Sequence, residues 1–530
     1  MRVLRRYRSL AVAFAAATLT AGCTSTATDT PLTSTMATPV NPAQVAGVPL
    51  PKGSVADALA QLDGLAEDLM DSSGIPGMAV AVVHGGTTVY AKGFGVREAG
   101  SQDEVDADTV FQLASLSKPL GATVVAHQVG NGVIDWDTPV AAKVPGFSLA
   151  DPYATEQVTV GDLYAHRSGL PDHAGDILEG LGYDRQQILE RLHLLPLNPF
   201  RNSYAYTNFG LTAAAEAVAN ASDTDWATLS QRALYEPLGM SATSSRYADY
   251  AARENRAVGH VKVDGTYVAQ AERDPDPQSP AGGASSSVND LAAWLKMLLD
   301  NGETDGGQLI PAESLLPAIS PQNVSSAPTS PDTRASFYGY GFNVDTSAAG
   351  RVTLSHSGAF ALGAATSFVA IPSADVAIVA LTNAAPIGVP ETLTSEFAGL
   401  VQFGEVRQDW AELYEKAFPT MPDPEDAPTG QTPLSTPMPP QPLATYVGTY
   451  ANDYFGAAQV TERDGALILT MGPEGLVFPL TYEDGDVFTF APARKGGPAG
   501  MISKATFTDD TLLLEFFDAN GLGTFTRSAP

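Results

Sequence analysis

Cysteine is almost absent from this chain of 530 residues, which contains Cys23 alone. A single cysteine cannot form an internal disulfide, and it provides no cluster of thiolates for a zinc site. Basic residues are also scarce, since 29 lysines and arginines stand against 59 acidic residues, for a net charge of −30. A chain with this charge repels nucleic acid and anionic lipid surfaces. We therefore expect no nucleic-acid partner, no metal and no cofactor.

Motifs of several other enzyme classes are missing as well. The sequence has no Gly-x-Ser-x-Gly nucleophile turn, no His-Glu-x-x-His metal helix and no Gly-x-x-x-x-Gly-Lys-Ser/Thr phosphate loop. After the first 22 residues, no run is long and apolar enough to cross a bilayer. The sequence thus predicts a soluble globular body that works without these chemistries.

The N-terminal residues are predicted to direct export. Arginines at positions 2, 5, 6 and 8 precede an apolar run from Leu10 to Leu19 and the small residues Thr20-Ala21-Gly22. A charged leader, a short apolar core and small residues before a cleavage point are typical of a signal peptide. Removal of residues 1–22 would change the net charge from −30 to −34, because four arginines are lost.

Cys23 resembles the acylated cysteine in the lipobox of bacterial lipoproteins, although Thr20 stands where that motif usually has leucine. This resemblance implies a cell-envelope protein whose only membrane contact is a lipid anchor on Cys23. The alternative is a periplasmic or secreted soluble protein with an incidental cysteine. Residues 23–53 are rich in Ser, Thr, Pro and Ala, and they are predicted to form a flexible stalk.

Hydrophobic patterns predict an α/β (α+β) domain over residues 54–405. Apolar residues at helical spacing indicate a first helix over Val55–Met70, and β-type runs at Met78–Val83 and Thr88–Phe94 flank a glycine turn. A helical region follows, and then come a second group of strands and a closing helix, predicted at Val352–Leu354, Thr366–Ile371, Val376–Thr382 and Pro390–Val401. This order indicates an antiparallel sheet flanked by terminal helices, with a helical insertion.

A second domain is predicted at the C-terminus. Residues 406–442 read as a helix followed by a stiff linker, because nine prolines lie between Pro419 and Pro442. Residues 443–530 are predicted to form a small all-β, barrel-like module with Asp-Gly and Asn-Gly hairpin turns. Its predicted strands are 446–450, 459–461, 467–471, 477–482, 487–490, 502–507, 512–517 and 524–526.

Ser115 and Lys118 form a Ser-x-x-Lys pair at the predicted start of a helix. Positions i and i+3 project from one helix face, so the hydroxyl and the amine can come within hydrogen-bond reach. Serine is a weak nucleophile until a base takes its proton, and a desolvated lysine is able to do so. The pair therefore indicates acyl-transfer chemistry, although an isolated match is more often an ordinary capped helix.

Two further boxes follow in order, Tyr206-Thr207-Asn208 and His356-Ser357-Gly358. Together with Ser115 and Lys118 they resemble the three boxes of the serine β-lactamase and penicillin-binding-protein superfamily. The closest branch is the class C β-lactamase-like group, which includes family VIII esterases, D-aminopeptidases and D,D-carboxypeptidases. The Tyr-Val-Gly-Thr-Tyr segment at residue 446 resembles the lipocalin-like module of such hydrolases. Further segments extend the likeness over roughly residues 55–400: 132–140, 158–171, 236–240 and 280–283.

The resemblance implies a role for each matching residue. Ser115 would be the nucleophile, and Lys118 would carry its proton. Tyr206 would be a second acid/base, because a neighbouring Lys118 cation favours its phenolate form. Asn208 would position the acyl amide or the lysine. The backbone N–H groups of Ser115 and Ala359 would bind the oxyanion, with Gly358 permitting close approach of the backbone. No glutamate is identifiable as a deacylation base, so Tyr206 or the acyl group itself would assist water.

His356 departs from the resemblance, because β-lactamases and D,D-peptidases usually carry lysine there. Histidine is mostly neutral at pH 7, so it holds a substrate carboxylate less well than lysine does. We therefore predict a serine hydrolase acting on small esters, amides or lactones. One alternative is a D-amino-acid peptidase, D,D-carboxypeptidase or weak β-lactamase acting on cell-wall-type substrates. Another is a slow, non-turning-over penicillin-binding-like protein. The sequence does not indicate an oligomeric state.

Overall fold

The computed structural model describes residues 44–45, 47–270, 273–418, 438–492 and 501–528. The predicted signal peptide, Cys23 and most of the predicted stalk lie outside these residues, as does most of the proline-rich linker. Within the described ranges, no helix combines the length and the apolar character needed to cross a bilayer. Across the same ranges, no group of three or more His, Cys, Asp and Glu side chains is arranged to hold a metal ion.

Fourteen α-helices are present among the described residues. The first, α1, extends three residues beyond the predicted helix and ends where Gly74 adopts a left-handed φ of 72° and donates its N–H to Met70 O. The helices are α1 Ser54–Ser73, α2 Ser117–Gly130, α3 Pro152–Gln157, α4 Val160–Tyr164, α5 Asp176–Gly180, α6 Arg185–Leu189, α7 Asn208–Ala221, α8 Trp226–Ser230, α9 Tyr247–Ala251, α10 Ser279–Gly282, α11 Val288–Leu299, α12 Ala312–Leu315, α13 Val389–Phe403 and α14 Trp410–Ala417.

The body is built on an eight-stranded antiparallel sheet. Its strands are β1 Gly77–His84, β2 Thr87–Gly95, β3 Asn323–Ser326, β4 Ser336–Tyr338, β5 Asn343–Thr346, β6 Val352–Phe360, β7 Ala364–Ile371 and β8 Val376–Thr382. The spatial order is β2-β1-β8-β7-β6-β5-β4-β3, so strands from both ends of the domain meet where β1 pairs with β8. The predicted α+β fold class is confirmed, with the helical segments of residues 114–315 inserted between β2 and β3.

Helices cover the central part of the sheet on both faces. β1 and β8 are buried almost throughout, which explains their continuous apolar sequences. Residues of α1 and α13 share one apolar core with one face of these strands. Residues of α2 and α11 belong to the core on the other face. The sheet therefore provides a rigid support for β6, which carries the third box.

The C-terminal module is a closed barrel of eight antiparallel strands. Buried residues alternate along it, as at Leu467, Leu469 and Met471, with aromatic side chains filling the interior. The predicted strand over residues 512–517 is too long, because the chain turns into a 3₁₀-helix at Glu515–Phe517. The strands are β9 Gly448–Asn452, β10 Gly456–Arg463, β11 Ala466–Met471, β12 Leu476–Asp484, β13 Val487–Phe490, β14 Ser503–Thr508, β15 Thr511–Leu514 and β16 Thr524–Arg527.

Candidate active site

Ser115 lies in a 3₁₀ turn, Ala114–Leu116, immediately before α2 rather than inside the α-helix. Ala114 adopts a left-handed φ of 46°, which is unusual for a residue with a Cβ atom. Such backbone strain costs on the order of 1 kcal/mol and is held in place by surrounding packing, here by Phe360 and Ala364. The turn leaves Ser115 partly exposed, while Lys118 is fully buried in the first turn of α2.

The polar groups of the first two boxes meet at the Ser115 hydroxyl. Lys118 Nζ lies 3.1 Å from Ser115 Oγ, and the Tyr206 hydroxyl donates to the same oxygen at 2.8 Å. Tyr206 comes from the loop before α7, and Asn208 is the first residue of that helix. Residues about 90 positions apart in the sequence are thus within direct hydrogen-bond reach of one another.

Three acceptors surround the Lys118 amine. Besides Ser115 Oγ, they are the Asn208 side-chain oxygen at 2.7 Å and the backbone carbonyl of Ala281 at 2.9 Å. Burial lowers the pKa of Lys118 to about 7, so a substantial neutral fraction exists at neutral pH. A neutral amine has two N–H groups, and amide and carbonyl oxygens can only accept them. Its lone pair then faces Ser115, which is the geometry of a general base.

Tyr206 differs from the expectation of a phenolate. Burial raises its pKa, and the hydrogen bond to Ser115 only partly opposes that effect. Lys118 Nζ lies 4.5 Å from the centre of the ring. In the resting site the phenol therefore keeps its proton and donates a hydrogen bond to Ser115 Oγ. It is arranged to supply a proton, and Lys118 is the group arranged to accept one.

The third box lies within β6, not at the end of a strand. Gly358 passes so close to the first box that an added Cβ would overlap Leu113 O and lie 2.9 Å from the Ser115 backbone nitrogen. Only glycine permits this approach. Ala359, the second predicted oxyanion donor, follows Gly358 on the strand and is exposed.

His356 is buried and has a partner on each ring nitrogen. Nδ1 lies 2.7 Å from the Ser357 carbonyl, and Nε2 lies 2.8 Å from the Tyr338 hydroxyl. A carbonyl can only accept, so Nδ1 carries the proton and Nε2 accepts from Tyr338. Burial lowers the pKa of His356 to about 3, and the nearby Lys118 adds to this effect. The third box therefore presents a neutral imidazole.

Several histidine and aromatic side chains around the boxes have structural surroundings. His166 is buried, and its Nδ1 accepts the backbone N–H of Thr207 at 3.2 Å, which fixes the second box. Tyr340 packs against Trp136, with 4.4 Å between ring centroids. Sequence reasoning missed Asp176, which accepts from the Asn208 amide at 2.9 Å. It also missed the Tyr338 hydroxyl as the partner of His356.

The fold and the site agree with the match to known families. Residues 62–402 match the family described as Beta-lactamase. The chain belongs to the β-lactamase family. A second match, over residues 433–522, is to a domain of unknown function, DUF3471, and includes most of the barrel. The predicted superfamily and the prediction of a serine hydrolase are confirmed by these matches and by the names of the relatives.

Relatives and a solved structure extend the likeness beyond the body. The unguisins hydrolase ungD of Aspergillus violaceofuscus (strain CBS 115571) is 27% identical over 484 residues, 80% of this chain and 81% of that protein. Penicillin-binding protein 4 of Amycolatopsis lactamdurans is 28% identical over 283 residues, 51% of this chain and 71% of that protein. The octameric penicillin-binding protein homologue from Pyrococcus abyssi shares the fold, with a TM-score of 0.59 and 20% identity, covering 86% of this chain and 98% of that one.

Proposed function

We propose that this β-lactamase-family hydrolase forms an acyl-enzyme on Ser115 and prefers small neutral esters, amides or lactones. The substrate preference is inferred from His356 in the third box, whose neutral imidazole is hydrogen-bonded at both ring nitrogens. A buried imidazole without charge offers no ion pair to a substrate carboxylate, so recognition of penicillin-type acids loses its usual cation. Neutral carbonyl substrates lose nothing from this replacement.

The proposed acylation step uses the three groups at Ser115. Neutral Lys118 takes the hydroxyl proton as Ser115 Oγ attacks the substrate carbonyl carbon, and the carbonyl electron pair moves onto its oxygen. The Ser115 and Ala359 backbone N–H groups would stabilise that oxyanion. The bond between the carbonyl carbon and the leaving group then breaks, and Tyr206 gives its phenol proton to the leaving group. The Lys118 ammonium returns a proton to Tyr206, so both side chains regain their starting forms. Water reverses the same steps to release the acid.

Ester turnover tests the proposal directly. Purified wild type and Ser115→Ala are compared with short-chain p-nitrophenyl esters, and Ser72→Ala on the exposed face of α1 is the matched control. We expect Ser115→Ala to lose at least about 1000-fold in kcat/KM and Ser72→Ala to retain full activity. Equal turnover by wild type and Ser115→Ala would refute a Ser115 acyl-enzyme.

The pH dependence of the same reaction tests the role of Lys118. Because the free amine is the active form and its pKa is about 7, kcat/KM should rise with pH through that region and then level off. An acid limb centred near pH 4 would instead point to a carboxylate as the base.

A second candidate activity is hydrolysis of D-amino-acid peptides or, weakly, of β-lactams, which the similarity to a penicillin-binding protein favours. A panel of D-Ala peptides, D-amino-acid amides and a chromogenic cephalosporin ranks these activities against the esters. Cephalosporin turnover far above that of the esters would contradict the argument from His356. A long-lived adduct on Ser115 without turnover would instead support a binding protein.

A further inference from the structure

Asp176, the first residue of α5, is connected to Lys118 through one amide side chain. Asn208 Nδ2 donates to Asp176 Oδ2 at 2.9 Å, while the other end of the same amide accepts from Lys118 at 2.7 Å. A carboxylate can only accept, so Asp176 fixes which end of the Asn208 amide faces it. It thereby fixes the oxygen of Asn208 toward the lysine.

The orientation of this amide determines what the Lys118 lone pair can do. With the Asn208 oxygen and the Ala281 carbonyl accepting both N–H groups of the neutral amine, the lone pair is left for Ser115. If the amide turned over, its NH₂ group would donate to that lone pair and block proton abstraction. A half-turn of the Asn208 side-chain amide, which swaps the positions of its oxygen and nitrogen, is therefore enough to disable Lys118 as a base.

Asp176 also belongs to the charged surroundings of Lys118. Its carboxylate raises the pKa of Lys118 and opposes the lowering by burial and by Arg273. Arg273 is itself paired with Glu179 at 2.5 Å, and Asp176 accepts from His173 Nδ1 at 2.9 Å, which raises the pKa of His173. Other titratable groups near this part of the site are His166, His356, Tyr206, Tyr204 and Asp172.

The segment that carries Asp176 lies between the active site and the barrel. The Tyr183 hydroxyl donates to Phe455 O of the barrel at 2.9 Å, and both residues are buried. An added Cβ at Gly472 of the barrel would overlap the Leu181 carbonyl, so the two backbones are in close contact. Residues 181–183, which follow α5, are thus in contact with the barrel.

We propose that Asp176 is a positioning residue that holds the Asn208 amide oxygen toward Lys118, and that the barrel, through the contact of Phe455 with Tyr183, keeps Asp176 in that position. Asp176 touches none of the reacting atoms, and it acts through Asn208. The inference rests on the proposed function, because it concerns how Lys118 is kept ready to take the Ser115 proton. It also assigns the barrel a task within the hydrolase site.

Asp176→Asn tests the carboxylate with little change in shape. An amide at position 176 can pair with Asn208 in either orientation and carries no charge. We expect kcat to fall about tenfold with KM nearly unchanged, and the acid limb of the pH profile to move down by about half a pH unit. Asp305→Asn is the control, because Asp305 is an exposed carboxylate on the turn between residues 303–304 and 307–308.

The readouts separate the two proposals. An unshifted pH limb and an unchanged kcat in Asp176→Asn, with Ser115→Ala inactive, would overturn the positioning role and leave the acyl-enzyme intact. If Ser115→Ala is fully active, the proposed function itself fails. A fall in activity without any shift of the pH limb would also count against the inference, because a merely structural role would give that result.

Tyr183→Phe tests the contribution of the barrel in the full-length protein, because it removes the hydrogen bond to Phe455 O. Removal of one hydroxyl leaves the ring packed, so the barrel is expected to remain folded, as circular dichroism would verify. We expect a smaller loss of kcat, about threefold, and a pH-limb shift in the same direction as in Asp176→Asn. Tyr482→Phe is the control, since the Tyr482 hydroxyl bonds to Met438 O near the start of the barrel. Equal kcat and equal pH profiles in both variants would overturn the role of the contact between Tyr183 and Phe455.

Discussion

The body and the barrel bury different kinds of residues. In the body, a lysine, two histidines and a glutamate are almost fully buried around the three boxes: Lys118, His166, His356 and Glu391. In the described part of the barrel, Ser503 is the only non-aromatic polar residue that is buried, and aromatic and aliphatic side chains fill the rest of the interior. Burial of ionisable groups is unfavourable, whereas burial of apolar surface is the main source of stability.

The body and the barrel therefore serve different purposes, one chemical and one structural. The body gives up stability to hold groups whose pKa values differ from those in water, and such groups are typical of catalytic sites. The barrel gains stability from its apolar interior and supports the segment next to Asn208. Substitutions in the body site should therefore change activity more than stability, and substitutions in the barrel interior should do the reverse.

The largest effect is expected for Lys118→Met. Loss of the base should reduce kcat/KM about 1000-fold, as general-base catalysis typically contributes 100- to 10,000-fold. The free energy of unfolding should change by less than about 1 kcal/mol, because relief of lysine desolvation offsets the three lost hydrogen bonds. Ester kinetics and chemical denaturation provide the measurements, with exposed Lys52→Met as control. A variant that is both inactive and strongly destabilised would contradict the expectation that substitutions in the body site change activity more than stability.

Phe488→Ala should have the opposite profile. Phe488 is 2% exposed and packs against Tyr446 and Phe507 inside the barrel. A cavity of this size lowers the free energy of unfolding by about 3–5 kcal/mol. At a temperature where the barrel remains folded, kcat should stay unchanged. Val477→Ala, at a position 60% exposed, is the control and should leave the denaturation midpoint near that of wild type.

Glu391→Gln should change how stability depends on pH. Glu391 is buried beneath the third box near Ser357, and burial raises its pKa to about 7. Because the folded pKa exceeds the unfolded one, wild type should lose stability as pH rises from about 4.5 to 7, by at most about 3 kcal/mol. Glu391→Gln should remove that loss. Denaturation at pH 5 and pH 8 checks it, and exposed Glu412→Gln should keep the wild-type slope.

The smallest effect is expected for Lys416→Ala on α14. Its ion pair with Glu412 at 2.5 Å is exposed on both sides, so solvent screens it. We expect the free energy of unfolding to change by less than about 0.5 kcal/mol and kcat to stay constant. A change as large as that of Phe488→Ala would show that exposed charges, not buried apolar groups, dominate stability here.

Local patterns predicted much of the fold. Apolar spacing located α1 and α13 within three residues at each end, and alternation with glycine turns located the eight barrel strands. Errors occurred where a local pattern had two meanings. The run at 512–517 alternates like a strand, but the chain bends at Glu515, and the strand predicted at Val352–Leu354 continues through the His356 box to Phe360.

Of the candidate site, the sequence identified the side chains that meet at Ser115 but not their protonation or the residues that support them. Ser115, Lys118, Tyr206 and Asn208 were visible as boxes, and the structure brings them together. Tyr206 was expected as a phenolate, yet its buried surroundings favour the phenol. Asp176 carries no motif that distinguishes it from the many other acidic residues, so no local signal could have selected it.

By itself, the sequence determined the order of strands and helices, the separate β module and the residue types available for acyl transfer, because these depend on periodicity and chemistry along the chain. The tertiary structure alone decided that Lys118 loses its solvent, that His356 is neutral against Tyr338, and that the barrel contacts the segment of Asp176. Long-range hydrogen bonds join residues 32 to 272 positions apart. No local pattern encodes those distances.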